Sequence, residues 1–292
     1  MSLCNVLATP MRAAATYPRA SALLHDLPGL TPYKAALDWQ RSLFQARTEG
    51  PPAASHPNLV IALEHSPVYT LGRAASTSDL RFPPSSQQQP PLPLPAAGEG
   101  SEEQPLPLAP PGFCVHHVER GGKVTYHGPG QLVVYPLLDL RSFRCDLHWY
   151  VEGIEEVVIE SARRALGLQA FRLRGSPGVW VGQPGSERKF AAVGVNCSKW
   201  FTQHGFAINV CPNLAHFEHI VPCGIRDRAV TSLAAEAALA GLGSSSSSSS
   251  SLTVQGFKGH VLQAFSEVFH CDLVREVAPA AQQQQQQQQQ HE

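Results

Sequence analysis

The chain has 292 residues and a formal net charge of −1, so it presents no global basic field for nucleic acid. Its apolar content is that of a globular protein, yet no run of about 18 apolar residues is available to span a bilayer. Seven cysteines, at 4, 114, 145, 197, 211, 223 and 271, form no CxxC pair. An odd number in a long chain reads as reduced thiols and not as a disulfide framework.

Residues 1–20 hold arginine, alanine and hydroxyl side chains but no acid. That is the composition of an organelle transit leader, or of a leader with no address. Thr31-Pro32 looks like a helix cap and first helical position, followed by Tyr33, Ala36, Leu37, Gln40, Leu43 and Phe44 at helical spacing. "NLVIALE" (58–64) reads as a buried strand, and "HSPVYTLGR" (65–73) as a connection punctuated by proline and glycine. Residues 83–112 are a Pro/Gln-rich insert, 243–251 end in a pure serine run, and 274–292 form a Gln-rich tail. None of the three carries enough apolar side chain to offset its ordering entropy. One domain over residues 21–273 is therefore expected, interrupted by the two inserts.

"KVTY" (123–126) and "QLVVYPLL" (131–138) read as strands on either side of an "HGPG" turn. Asp146 is placed to cap a long helix with an apolar stripe, and Gly167 to stop it. "GVWV" (178–181), "KFAAVGVNC" (189–197) and "HGFAINV" (204–210) are strand-like, residues 219–233 mostly loop, and Thr253 caps a last helix. Several strands are separated by turns and not by helices, which favours a mixed α+β sheet over a doubly wound parallel one.

The stretch "RGGKVTYHGPGQ" (120–131) concentrates glycine, histidine and cations. Backbone cleared of side chains can approach a ligand closely, although two tight turns would use glycine in the same way. It is neither a phosphate loop nor a dinucleotide fingerprint. Arg120, Thr125, Tyr126 and His127 in the same dozen residues favour a site.

Cys223 lies in "VPCGI". The preceding proline stiffens the backbone, and the glycine after it leaves room for a bulky acyl group. A cysteine acts through its thiolate and needs a cation or base nearby. Lys189, opening an apolar strand, is the candidate partner; His127 and His204, each preceding a glycine, are rivals. Metal-ligand spacings are missing, so neither a catalytic metal nor an organic cofactor is expected.

Taken together, "EHSPVYTLGR" (64–73), "RGGKVTYHGPGQLVVYPLLDL" (120–140), "KFAAVGV" (189–195), "HGFAINV" (204–210), "IVPCGI" (220–225) and "TSL" (231–233) resemble the lipoyl(octanoyl) transferase family. The resemblance implies a single α+β catalytic domain with a mixed sheet, like that of biotin and lipoate protein ligases. It implies transfer of octanoyl from octanoyl-acyl carrier protein, through a thioester on Cys223, to a lysine of lipoyl domains. Those domains belong to 2-oxoacid dehydrogenases and the glycine cleavage H protein. The family lysine that lowers the thiol pKa falls on Lys189. The family's acyl pocket falls on Arg120, Gly121, Gly122, Lys123, Val124, Thr125, Tyr126 and His127, on Ala192, Val193 and Gly194, and on Gly205, Phe206 and Ala207. The expected compartment is the mitochondrion, with the plastid as the alternative. The rival readings are an ATP-dependent lipoate or biotin protein ligase and a non-catalytic binding module.

Overall fold

The computed structural model describes residues 19–50, 56–82, 113–220, 228–241 and 252–275. The expectations placed on 1–18, 83–112, Cys223, 243–251 and 276–292 lie outside the described residues.

The chain enters through strand β1 (Ala20–Thr31) and passes into helix α1 (Tyr33–Glu49). Pro28-Gly29 hides this strand in the sequence, because the pair reads as a turn. In the fold the register of β1 on its neighbour shifts between Asp26 and Leu30, a bulge that absorbs both residues. Thr31 is strand, not cap; Pro32 takes the N-cap position with no side-chain cap bond. Strands β2 (Asn58–His65) and β3 (Val68–Leu71) follow, the latter lying inside the stretch that reads as a connection.

After β4 (Cys114–His117) and β5 (Val124–His127), the "HGPG" segment leads into β6 (Gln131–Leu137). Helix α2 (Leu147–Leu166) begins where Asp146 accepts the Trp149 N–H and ends at Gly167 in the left-handed conformation, as its sequence predicts. Strands β7 (Phe171–Leu173), β8 (Ser176–Val181), β9 (Arg188–Ser198), β10 (Phe201–Asn209) and the two-residue β11 (Ala229–Val230) come next. Helix α3 (Leu233–Leu239) was not legible, helix α4 (Val254–Val268) is capped by Thr253 as expected, and β12 (Cys271–Arg275) closes the order two residues beyond the expected boundary.

The main sheet runs β12-β1-β2-β6-β10-β9-β8-β7, with β11 against β9. Its β12-β1-β2 part is parallel; from β2 through β6, β10, β9 and β8 to β7 the pairing is antiparallel. The expected mixed sheet is present. Strand β2 is covered on both faces, which is why it reads as a continuous apolar run. Leu59, Ile61 and Leu63 pack with Ala36 of α1, while Val60 and Ala62 pack with residues of α2 and α4 such as Ile154, Val158 and Phe265. A second sheet, β4-β3-β5, stands apart. The "HGPG" turn therefore carries the chain from the small sheet into the main one and closes no hairpin. No described helix is long and apolar enough to cross a membrane.

Candidate active site

Lys189 is the second residue of β9 and is buried. A lysine opening a strand is ordinarily a solvated edge residue. Here its Nζ donates to the Pro177 carbonyl at 2.9 Å and sits 4.6 Å from the centre of the Trp180 ring. The start of β8 is held by Glu155, whose carboxylate accepts the Gly178 N–H at 2.8 Å; burial pushes that carboxyl pKa up. On the other side Val230 of β11 is in register with Lys189, and the Thr231 N–H donates to the Lys189 carbonyl at 2.9 Å.

Next along β9, the small side chains of Ala192 and Gly194 leave a hollow over the sheet. Opposite them in register lie Ala207, Phe206 and Gly205 of β10. This cavity has about 490 Å³ of empty space when the open solvent at its mouth is included. Its wall takes Ala192, Val193 and Gly194 from β9 and Gly205, Phe206 and Ala207 from β10. Arg120, Gly122 and Lys123 come from the glycine segment, and Val124, Thr125 and His127 from β5. Three stretches far apart in sequence thus converge.

The individual residues do not all have the role expected of them. Tyr126 turns away from the cavity and packs its ring 5.3 Å from that of Tyr69, in the core of the small sheet; alternation along β5 puts it opposite Thr125 and His127. Gly121 lines a neighbouring groove and not this cavity. Gly205 lines the cavity, but a β-carbon there would lie 2.6 Å from Pro136 Cδ and closer still to the Val134 carbonyl oxygen. Its glycine serves close approach of β10 to β6. Gly122, by contrast, has φ +85°, a conformation that side chains resist. Tyr33, Val133 and Tyr135 also line the cavity and were not expected. Alternation along β6 sets Val133 and Tyr135 on one face, but nothing local in the sequence says what that face meets.

Several polar side chains surround the hollow, and hydrogen bonds fix their states. Gln131 Nε2 donates to the Tyr126 carbonyl at 3.1 Å and to Asn209 Oδ1 at 2.9 Å, so its Oε1 accepts from His127 Nδ1 at 2.7 Å. The network thereby assigns the proton to Nδ1 and leaves His127 Nε2 as an acceptor. Burial, reinforced by the neighbouring His65, pulls the His127 pKa down to about 3, so this imidazole is neutral. His65 is pulled down to about 4, also by burial, and its Nε2 lies 2.7 Å from the Tyr135 hydroxyl. His204 holds φ +61° within β10, with Nε2 3.7 Å from the Glu119 carboxylate, and burial lowers its pKa too. A bulky residue held in this region is strained, and such strain gathers at functional sites. Both rival bases face the cavity, while Lys189 lines the groove beside it.

Residues 32–266 match the lipoyl protein ligase A/B catalytic domain. An octanoyltransferase of Nostoc sp. is 41% identical over 260 residues, 88% of this chain and 96% of its own length. The chain belongs to the octanoyltransferases of the lipoyl protein ligase A/B catalytic family. A Synechococcus elongatus octanoyltransferase is 40% identical, over 84% of this chain and 86% of the relative. A chloroplastic octanoyltransferase of Arabidopsis thaliana is 40% identical, over 75% of this chain and 68% of its own. Among solved structures, a putative lipoate protein ligase from T. acidophilum superposes with TM-score 0.56 at 13% identity, over 92% of this chain and 93% of that one. Lipoate-protein ligase A bound with ATP gives 0.56 at 14%, over 92% and 93%. At such identities these likenesses establish the shared fold. The protein is an acyltransferase of this family, and these relatives give the expected mitochondrial address no support.

Three of the described cysteines of this octanoyltransferase hold their protons more tightly than a free thiol. Burial raises the thiol pKa of Cys197 and Cys211, and takes that of Cys271 to about 12. Among the described residues no cluster of three His, Cys, Asp or Glu side chains is arranged to hold a metal ion.

Proposed function

We propose that this octanoyltransferase takes octanoyl from the phosphopantetheine thiol of acyl carrier protein onto Cys223 and passes it to a lysine of lipoyl domains. One observation carries the reading: the glycine segment, Ala192–Gly194 and Gly205–Ala207 meet around a hollow along β9, the strand that carries Lys189 at its start. The chain on either side of Cys223 supports it. Three residues before, Ile220 is buried and bridged to Leu80; seven after, Val230 lies in register with Lys189.

In the first half-reaction the Cys223 thiolate attacks the donor carbonyl, the bond to the pantetheine sulfur breaks, and the Lys189 ammonium gives its proton to the leaving thiolate. In the second, the ε-amine of the acceptor lysine attacks the Cys223 thioester. Its proton passes to the now neutral Lys189, the amide forms, and Cys223 leaves as thiolate. An ammonium beside the thiol favours the thiolate and lowers its pKa below the free value of about 8.5. Thioester exchange is nearly isoenergetic and the amide lies downhill, so the reaction needs no ATP.

The acceptors we propose are the lipoyl domains of 2-oxoacid dehydrogenases and the glycine cleavage H protein. The compartment we propose is the plastid, on the strength of cyanobacterial and chloroplastic relatives. A fluorescent protein fused after residue 25 tests that address; signal confined to mitochondria or to cytosol, from this fusion and from the full-length one, contradicts it.

The chemistry is tested with purified protein, octanoyl-acyl carrier protein and an apo lipoyl domain, without ATP. The lipoyl domain gains one octanoyl group in a hydroxylamine-stable amide. Transfer that requires ATP and free octanoate overturns the reading in favour of a ligase.

A further inference from the structure

Lys189 borders a second hollow. An open groove enclosing about 930 Å³ of empty space, solvent at its mouth included, shares Gly122, Lys123, Val193 and Gly194 with the acyl cavity. Leu147 and Val151, in the first turns of α2, form its far wall, and Gly175 of the β7–β8 turn with Ser176 and Pro177 at the start of β8 forms its lip. Leu147 is a large apolar side chain left 39% exposed there. An eight-carbon chain seated in the acyl cavity leaves this groove without a purpose.

We propose that the groove seats the 4′-phosphopantetheine arm of the acyl donor, with Arg174 and Lys123 supplying charge for its phosphodiester. The inference rests on the thioester reading above and assigns the place of the donor's arm within it. The arm is long and thin. It carries methyl and methylene groups that suit Leu147, Val151 and Val193, amides that suit the exposed backbone at Gly175, and an anion at its outer end. Arg174 stands exposed immediately before Gly175. Lys123 lies on the wall shared with the acyl cavity, its charge partly engaged by Asp79 at 3.8 Å. A lysine stem of four methylenes is too short to fill such a groove and carries no phosphate. The acceptor lysine therefore enters the same mouth only after the arm has left.

The test compares loading of the wild-type protein and of variants by four thioesters of octanoate: with acyl carrier protein, with 4′-phosphopantetheine, with pantetheine lacking the phosphate, and with N-acetylcysteamine, which keeps only the thiol end of the arm. Val151→Trp and Ser176→Phe narrow the groove; two positions are used so that one poorly folding variant does not decide the result. Each is expected to lower the ratio of kcat/KM for phosphopantetheine over N-acetylcysteamine donors by about tenfold or more. Arg174→Glu is expected to lower the preference for the phosphorylated over the unphosphorylated arm by about three- to tenfold. Ratios that stay at their wild-type values place the arm elsewhere. Equal loss with all four donors makes the groove part of the acyl site, and both results overturn the proposal. Loading of wild type by octanoyl-acyl carrier protein, with hydroxylamine release from Cys223, reports on the thioester itself. Failure there sinks the functional reading itself, and with it the groove's assignment.

Discussion

The parallel strands β12, β1 and β2 and the antiparallel strands β6, β10 and β9 share one sheet but use their side chains differently. Strand β2 is filled on both faces by Leu59, Val60, Ile61, Ala62 and Leu63, all buried. Strands β9 and β10 face each other across Ala192, Gly194, Gly205 and Ala207, where close packing gives way to an open-mouthed cavity. The first region is a scaffold whose volume is occupied. The second is held open by small residues and edged by His204 and by the hydrogen-bonded imidazole of His127. One continuous sheet thus supplies both stability and a binding space, and the two should respond differently to substitution.

The largest contrast is expected at Lys189. Lys189→Ala should lower octanoyl transfer by about 10²–10⁴-fold, the usual weight of a proton-transferring group, while the protein keeps a cooperative thermal transition. The pH profile of Cys223 alkylation by iodoacetamide should move upward. An unmoved profile would return Lys189 to a structural role and promote His127. In the parallel half the pattern reverses. Leu24→Ala should cost about 2–5 kcal/mol of stability, read from urea unfolding, through a cavity that the fold only partly closes. Transfer per folded molecule should stay at the wild-type level.

Glycine substitutions sharpen the boundary between the regions. Gly205→Ala should destabilise by about 1–3 kcal/mol, because its β-carbon meets Pro136 and the β6 backbone. At Gly121 the nearest atom to a β-carbon would be the Val195 carbonyl oxygen at 3.6 Å, an ordinary contact. Gly121→Ala should leave the unfolding midpoint nearly unchanged. Equal effects at the two positions would erase the distinction drawn between them.

The smallest effect is a pH dependence of stability. Burial holds the folded-state pKa of His65 at about 4 and that of His127 at about 3, below the ordinary value of about 6.5. Between those limits the unfolded chain binds more protons than the folded one, so stability rises with pH. The contribution is complete above about pH 6.5 and is lost as pH falls toward 4 and then 3. The thermal midpoint should therefore drop by several degrees from pH 7 to pH 5, and His65→Gln should flatten that slope.

Much of this was legible because the signals were local. Asp146, Gly167 and Thr253 announced helix ends through their own backbone bonds, and the strand runs from 178 to 210 announced themselves by composition. The glycine segment, Ala192–Gly194 and Gly205–Ala207 were legible through family resemblance, and they meet in space as that resemblance implied. What escaped depends on partners distant in sequence. β1 was masked by its own bulge at Pro28-Gly29, and β3 by the surrounding Pro67 and Gly72. The tyrosines at 33 and 135 reach the cavity from a helix and a strand whose relative placement no local pattern encodes. Tyr126 was misjudged for the reverse reason: its neighbours in sequence face the cavity, and strand alternation sends it the other way.

The account turns on Cys223 as the acyl carrier within the enzyme. Intact mass and peptide mapping after incubation with octanoyl-acyl carrier protein, with no acceptor present, test it most directly. The account predicts one octanoyl group on Cys223, released by hydroxylamine and absent from Cys223→Ser. An adduct on Cys197 or Cys211, or transfer to lipoyl domains that proceeds undiminished in Cys223→Ser, would contradict it.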